Sequence, residues 1–221
     1  LLSADFFIPM RQLGSYFHIA MNGIGASEKI FHFLALKEPE DGSEEFLNQG
    51  CDIQIRDLSF SYEKDKEALH NVGMDISAIG VTAIVGESGS GKSTIASILA
   101  GRLREYSGDI TIGNQKHSAL SIGTIMNNIT YIGINNYIFK GTIRDNLVMA
   151  SPKASDERLW ETLRKCQLDT FFMENQGLDT YIQEKGSNLS GGQRQRVAIA
   201  QGLLRDSAVY IFDEATSNID V

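Results

Sequence analysis

Between residues 10 and 36 the apolar positions Met10, Leu13, Phe17, Ala20, Ile24, Phe31 and Leu34, with Ser27 among them, step alternately by three and four. That is the spacing of a heptad seam, and it predicts a helix. Gly14, Gly23 and Gly25 each weaken such a helix by about 1 kcal/mol relative to alanine, so packing must compensate. Spacing alone leaves two arrangements open: a helix lying on its own domain, or a stem that packs on partner helices. Residues 37–50 are acidic and hold Pro39, Gly42 and Gly50, which predicts a linker. From Cys51 the pattern shortens. Ile53, Ile55, Leu58 and Phe60 alternate with polar residues apart from one slip near Asp57, which suits a bulged strand. The β-branched run 81–85 predicts a strand, followed by a glycine-rich loop and a helix-like stretch at 93–103. Residues 108–133 read as further short strands, 155–166 and 169–175 as helices, and 190–205 as a helix leading into a buried-type strand at 209–212. Strand, loop and helix in alternation predict an α/β core with parallel central strands and an antiparallel addition near its start.

Composition narrows the function classes. The 221 residues can build one large domain, or one domain with an appendage. With 28 acidic against 20 basic residues the net charge is −8, which argues against non-specific nucleic-acid binding. Cys51 and Cys166 are too few and too far apart for a disulfide framework or metal cage, and the histidines are scattered. The uncharged stretch 12–27 is shorter than the ~20 residues of a membrane-spanning helix. The chain begins at Leu1 and stops just after an acidic cluster, and the expectation is a fragment cut from something longer at both ends.

Three motifs carry chemistry. Gly86-Glu87-Ser88-Gly89-Ser90-Gly91-Lys92-Ser93, followed by Thr94, matches the phosphate loop G-x-x-x-x-G-K-[ST]. Glycines let backbone N–H groups curl around phosphate oxygens, and a helix start adds its positive dipole end. Lys92 supplies a cation for the β- and γ-phosphates, and the Ser93 hydroxyl can ligate Mg²⁺. A plain glycine-rich turn is the alternative, and the loop's place between an apolar strand and a helix weighs against it. Second, the run 209–212 ends in Asp213 and Glu214. Carboxylates at a strand's carboxyl end stand where parallel α/β sheets bind ligands, with Asp213 placed to hold Mg²⁺ and Glu214 to polarise the attacking water. Third, Ser190, Gly191, Gly192 and Gln193 follow Leu189. Ser190 and Gln193 form an S-x-x-Q capping box, whereas the two glycines make sense if an anion approaches the helix start closely.

In this order the motifs resemble the nucleotide-binding domain of ATP-binding-cassette (ABC) transporters, across residues 52–221. The phosphate loop resembles Walker A, Leu189-Ser190-Gly191-Gly192-Gln193-Arg194-Gln195-Arg196 the signature, 209–214 Walker B, and Ser217-Asn218-Ile219-Asp220 the D-loop. The resemblance implies an α/β P-loop NTPase core with a parallel central sheet, an antiparallel β subdomain and a helical signature subdomain. It implies ATP and Mg²⁺ as cofactors, with Lys92 and Glu214 catalytic and Ser93 and Asp213 on the metal. It also implies a second nucleotide-binding domain as partner, identical or a sister subunit, to which Ser190, Gly191, Gly192 and Gln193 are presented across the dimer. Phe60-Ser61-Tyr62 resembles the A-loop, which gives Tyr62 the adenine; a tyrosine packed at a strand end is the alternative.

Other stretches resemble the exporter branch. Glu184-Lys185-Gly186-Ser187 is similar to the X-loop, and Gly141-Thr142-Ile143-Arg144-Asp145-Asn146 to the exporter stretch after the Q-loop. The expected organisation is therefore 1–36 as the cytoplasmic end of the last transmembrane helix, 37–50 as linker, and 51–221 as nucleotide-binding domain cut after the D-loop. The remaining partner is a transmembrane domain of the same polypeptide, at the cytoplasmic face of the plasma (inner) membrane, with no nucleic acid. The wording from Phe6 to Gly14 is closest to the CydD-type thiol or haem exporters of cytochrome-bd assembly. Two departures stand out: Ile134 falls where the Q-loop has glutamine, and none of His18, His32, His70 or His117 can serve as the H-loop histidine. The implied function is ATP·Mg²⁺-driven domain dimerisation coupled to export, with negligible hydrolysis by the isolated chain. The alternatives are a degenerate, regulatory half that hydrolyses poorly, and a soluble ABC ATPase of DNA repair or translation, against which the X-loop, the stem and the acidic charge count.

Overall fold

The computed structural model describes residues 2–36, 41–46, 51–63, 66–133 and 136–215, with side chains in the first helix from residue 7. The chain divides into two units, Leu1–Glu40 and Asp41–Val221.

The first unit is the helix α1 (Leu2–Leu34), which runs through Pro9 and the three glycines. The seam side chains Met10, Leu13, Phe17, Ile24, Phe31 and Leu34 each keep more than half of their surface open. No Cβ added at Gly14, Gly23 or Gly25 would meet another atom within 4 Å. No helix among the described residues is long and apolar enough to cross a membrane.

In the second unit, residues 41–46, read from sequence as linker, are tied down. The Glu44 N–H donates to the Ala119 carbonyl at 3.0 Å, the Ser121 N–H to the Glu44 carbonyl at 3.1 Å, and the Ile122 N–H to Asp41 Oδ1 at 2.7 Å. The antiparallel part consists of β1 (Ile53–Glu63), β2 (Lys66–Ile76), β3 (Ser107–Ile112) and β4 (Gln115–Lys116), in the order β2-β1-β3-β4. The predicted slip is a bulge: Asp57 has φ 51°, and the register with both neighbours shifts around it. Inward-facing Ile53, Ile55, Leu58 and Phe60 pack with Ile110 and Ile112 against Ile95, Ile98 and Leu99 of α2 (Lys92–Leu99). Burying one such aliphatic side chain contributes about 1.5–3 kcal/mol, which holds the helix behind the phosphate loop onto the sheet.

The parallel part pairs β5 (Ile129–Ile132) with β8 (Val209–Phe212), Ile129 opposite Val209 and Ile132 opposite Phe212. A second core is helical: α4 (Ile143–Ala150), α5 (Asp156–Lys165), α6 (Asp169–Met173) and α7 (Gly191–Leu204) meet around Leu147, Leu163, Phe172 and Val197. A short antiparallel pair of β6 (Gly141–Thr142) and β7 (Tyr181–Ile182), joined across α4–α6, closes it. The ends of α5 are set by sequence: Ser155 caps it, acids fill its first turn, and Arg164 and Lys165 its last.

Three elements depart from the periodicity. Residues 81–85 join no sheet, and Val81 and Val85 are 99% and 88% exposed. An apolar run states only that burial is favourable, whereas a ladder needs register with a neighbouring strand, and among the described residues the parallel sheet pairs β5 with β8 alone. The stretch expected as strands holds a helix, α3 (Ile122–Asn128), because Ser121 Oγ accepts the Thr124 N–H at 3.1 Å and Ile125 is buried. Helix α4 was not anticipated; Thr142 and Asp145 start it with a capping box. The strand at 209–212 is half-buried rather than fully buried.

Candidate phosphate-binding site

The loop after residue 85 turns on two left-handed glycines, Gly89 (φ 82°) and Gly91 (φ 88°). Gly91 caps α2 and lies so close to Leu69 and to the Ala68 carbonyl, 2.9 Å from a notional Cβ, that no side chain fits there. No side chain caps the start of α2, which leaves its first-turn N–H groups without a side-chain cap partner. The Lys92 ammonium folds back into the loop and donates to the carbonyls of Gly86 at 2.9 Å and Glu87 at 2.7 Å, with Ser90 Oγ at 3.4 Å. Glu87, Ser88, Gly89 and Ser90 are exposed.

One residue on, the exposed Ser93 hydroxyl donates to Asp213 Oδ1 at 3.0 Å, across 120 residues of sequence. Asp213 is carried there by β8, whose pairing with β5 continues in an Asp213 N–H to Ile132 carbonyl bond of 2.9 Å. Its other oxygen, Oδ2, accepts the Tyr131 hydroxyl at 2.6 Å. Burial, then this bond and the Asp213 charge, push the Tyr131 phenol up to about 12. The Arg102 guanidinium lies 3.9 Å from the centre of the same ring. Glu214 is exposed with φ 53°, and its carbonyl accepts the Gln195 side-chain amide of α7 at 3.1 Å.

Tyr62 stands at the same helix start. Its hydroxyl is 3.2 Å from Oγ1 of buried Thr94, and its ring, 60% exposed, meets Phe60 edge-on at 4.9 Å. Ser190 and Gln193 form the expected capping box, Gln193 N–H to Ser190 Oγ at 3.1 Å and Ser190 N–H to Gln193 Oε1 at 2.8 Å, with Gly191 and Gly192 partly exposed between them. Among the described residues no hydrogen bond joins these four to the loop at 86–93. The structure therefore gathers Lys92, Ser93, Asp213, Thr94 and Tyr62 around the start of α2, and leaves the signature residues at the start of another helix. Ile134, Asn135 and the D-loop stretch 217–220 lie outside the described residues.

No group of three or more His, Cys, Asp or Glu side chains among the described residues could hold a metal. What the chain offers is one hydroxyl and one carboxylate, Ser93 and Asp213, touching at 3.0 Å. This hard-oxygen pair fits Mg²⁺, which commonly takes one or two protein oxygens and completes its shell with water and phosphate.

Sequence reasoning missed Tyr131, Arg102 and Gln195. No local signal could have found Tyr131, since it meets Asp213 only through the register of a parallel pair 82 residues apart in sequence.

The family model for ABC transporters matches residues 69–217. An uncharacterized ABC transporter ATP-binding protein of Haemophilus influenzae is 41% identical over 223 residues, covering 100% of this chain and 40% of that protein. The ATP-dependent lipid A-core flippase of Francisella tularensis is 34% identical over 96% of this chain and 35% of its own length. The microcin-J25 export ATP-binding/permease protein McjD of Escherichia coli is 38% identical over 79% of this chain and 30% of its own. The chain thus spans two-fifths or less of the length of these relatives. A solved structure of a bacterial Atm1-family ABC exporter with ATP bound superposes with a TM-score of 0.82 at 28% identity, over 97% of this chain and 38% of that one. The chain belongs to the ABC transporter family and carries its ATP-binding domain.

Proposed function

We propose that this chain is the ATP-hydrolysing part of an ABC exporter, in which ATP·Mg²⁺ closes a dimer of nucleotide-binding domains and hydrolysis reopens it. The observation that carries the reading is the Lys92 ammonium folded into the phosphate loop, one residue before Ser93, whose hydroxyl donates to Asp213 at 3.0 Å. Lys92 exchanges loop carbonyls for β- and γ-phosphate oxygens, and the loop and α2 N–H groups bind the remaining phosphate charge. Ser93 and Asp213 would hold Mg²⁺, which would supply positive charge to offset the negative charge that develops in phosphoryl transfer to water. Glu214, exposed one residue beyond, orients the attacking water and draws its proton. Tyr62, with most of its ring open, stacks on adenine. Ser190, Gly191, Gly192 and Gln193 serve the site of a second nucleotide-binding domain, so the chain alone is expected to hydrolyse ATP negligibly.

Residues 1–36 are read as the cytoplasmic end of a membrane domain's last helix, in line with the open seam of α1, and place the ATPase at the cytoplasmic face of the inner membrane. The flippase and microcin exporter among the relatives support export over a purely regulatory half-site. Within exporters, the wording of residues 6–14 favours the thiol or haem cargo of cytochrome-bd assembly. The test is ATP turnover by the full-length transporter in membranes with Glu214→Gln alongside. Loss of a general base is expected to slow hydrolysis about 10²–10⁴-fold with ATP binding retained. An unchanged rate would overturn the assignment.

A further inference from the structure

The parallel register sets Tyr131 opposite Ile211 and Ile132 opposite Phe212, with Asp213 continuing the pair. Tyr131 lies on β5 and Asp213 just beyond β8, so the phenol reaches the far oxygen of the carboxylate at 2.6 Å. The Ser97 side chain stands beside the same hydroxyl. Ser97 stands one turn after Ser93 on α2, and Ser93 donates to the near oxygen of Asp213 at 3.0 Å. Ser93, Asp213 and Tyr131 form a hydrogen-bonded chain, with Ser97 beside the phenol, across the phosphate-loop helix and both strands of the parallel sheet. Arg102 lies over the Tyr131 ring face, 3.9 Å from its centre. A carboxylate at a strand end otherwise rotates freely about its side-chain torsions, and neither oxygen would have a fixed direction.

We propose that Tyr131 is a positioning residue for Asp213, its hydroxyl fixing one carboxylate oxygen so that the other is presented ready-oriented to Ser93 and to Mg²⁺. The inference deepens the proposed ATPase reading and rests on it. Two effects oppose each other. The hydrogen bond draws some charge from the carboxylate, which weakens it as a ligand, and it removes the carboxylate's rotational freedom, which strengthens it. A charge-assisted O–H···O⁻ bond at 2.6 Å is short and directional, so orientation dominates. Outer partners of metal ligands typically change metal affinity about 10–100-fold when removed.

The test measures binding of a non-hydrolysable ATP analogue to the full chain, across a Mg²⁺ titration and again in EDTA, for wild type, Tyr131→Phe and Ser97→Ala. Tyr131→Phe is expected to raise the Mg²⁺ concentration for half-maximal tightening about tenfold, with affinity in EDTA changed less than about twofold. Ser97→Ala, which removes the hydroxyl beside the phenol without touching Asp213, is expected to shift the midpoint the same way by a smaller factor. It carries the test if Tyr131→Phe does not fold. An unchanged or lower Mg²⁺ midpoint would overturn the proposal, as would an equal loss in Mg²⁺ and in EDTA, the mark of a merely structural role. Failure of the wild type to gain affinity with Mg²⁺ would instead overturn the ATPase reading, and this inference with it.

Discussion

Replacing Lys92 by alanine separates nucleotide affinity from fold stability. In the wild type the ammonium donates to two loop carbonyls, at 2.9 and 2.7 Å, and lies near a third acceptor at 3.4 Å. Those carbonyls belong to Gly86 and Glu87, whose exposure lets water take over when the side chain is cut. The substitution is therefore expected to cost less than about 1 kcal/mol of folding free energy, the range of exposed contacts. Binding changes far more. Phosphate oxygens carry full charge where the loop carbonyls carry none, and a hydrogen bond to a charged group contributes about 1.5–3 kcal/mol net. Moving the ammonium from carbonyl to phosphate then corresponds to roughly a 10- to 150-fold loss of ATP affinity in Lys92→Ala. Part of the wild-type gain is screened by ions, so the gap between the two proteins should narrow as salt rises. Calorimetric titration with ATP·Mg²⁺ at two salt concentrations, beside thermal melts of both proteins, reads each quantity separately. Equal affinities would refute the placement of Lys92 on the phosphates; a large fall in melting temperature would show that its loop contacts matter more than their exposure implies.

His117 is fully buried, its Nδ1 2.9 Å from the Tyr106 hydroxyl and its Nε2 3.3 Å from the Leu99 carbonyl, and burial with the nearby Arg104 charge pushes it down from 6.5 to about 4. The unfolded chain takes up the proton first, so stability is full above pH 6.5 and falls as pH drops toward 4, by at most roughly 3 kcal/mol. Denaturant titrations over that window should show a slope that His117→Gln flattens, and an identical slope in the variant would rule out His117 as its source. Asn146, also fully buried, accepts the Phe139 N–H at 2.9 Å and donates to the carbonyls of Phe139 at 2.9 Å and Thr142 at 3.0 Å. Asn146→Ala strands these groups and is expected to cost about 3 kcal/mol in chemical denaturation; a loss under about 1 kcal/mol would mean water replaces the amide.

What the sequence determined was whatever depends on neighbours a few residues away. The phosphate loop is legible because left-handed glycines and a helix start lie within one short stretch, and Gly91 meets both demands. The box of Ser190 and Gln193 is legible for the same reason, as is the bulge at Asp57, which breaks an alternation of period two. Periodicity misjudged α3 because Ile122, Thr124 and Ile125 look like strand residues; a single cap and a buried isoleucine reversed that preference. It misjudged 81–85 because an apolar run states only that burial is favourable, not that a neighbouring strand pairs with it. The tertiary structure alone decided which groups meet. Ser93 and Asp213 are 120 residues apart, Tyr131 and Asp213 are 82, and the Gln195 amide finds the Glu214 carbonyl only because α7 packs beside β8's end. Each of these bonds spans about 3 Å and depends on strand register and helix placement, which are settled by the packing of the whole core and leave no trace in local spacing.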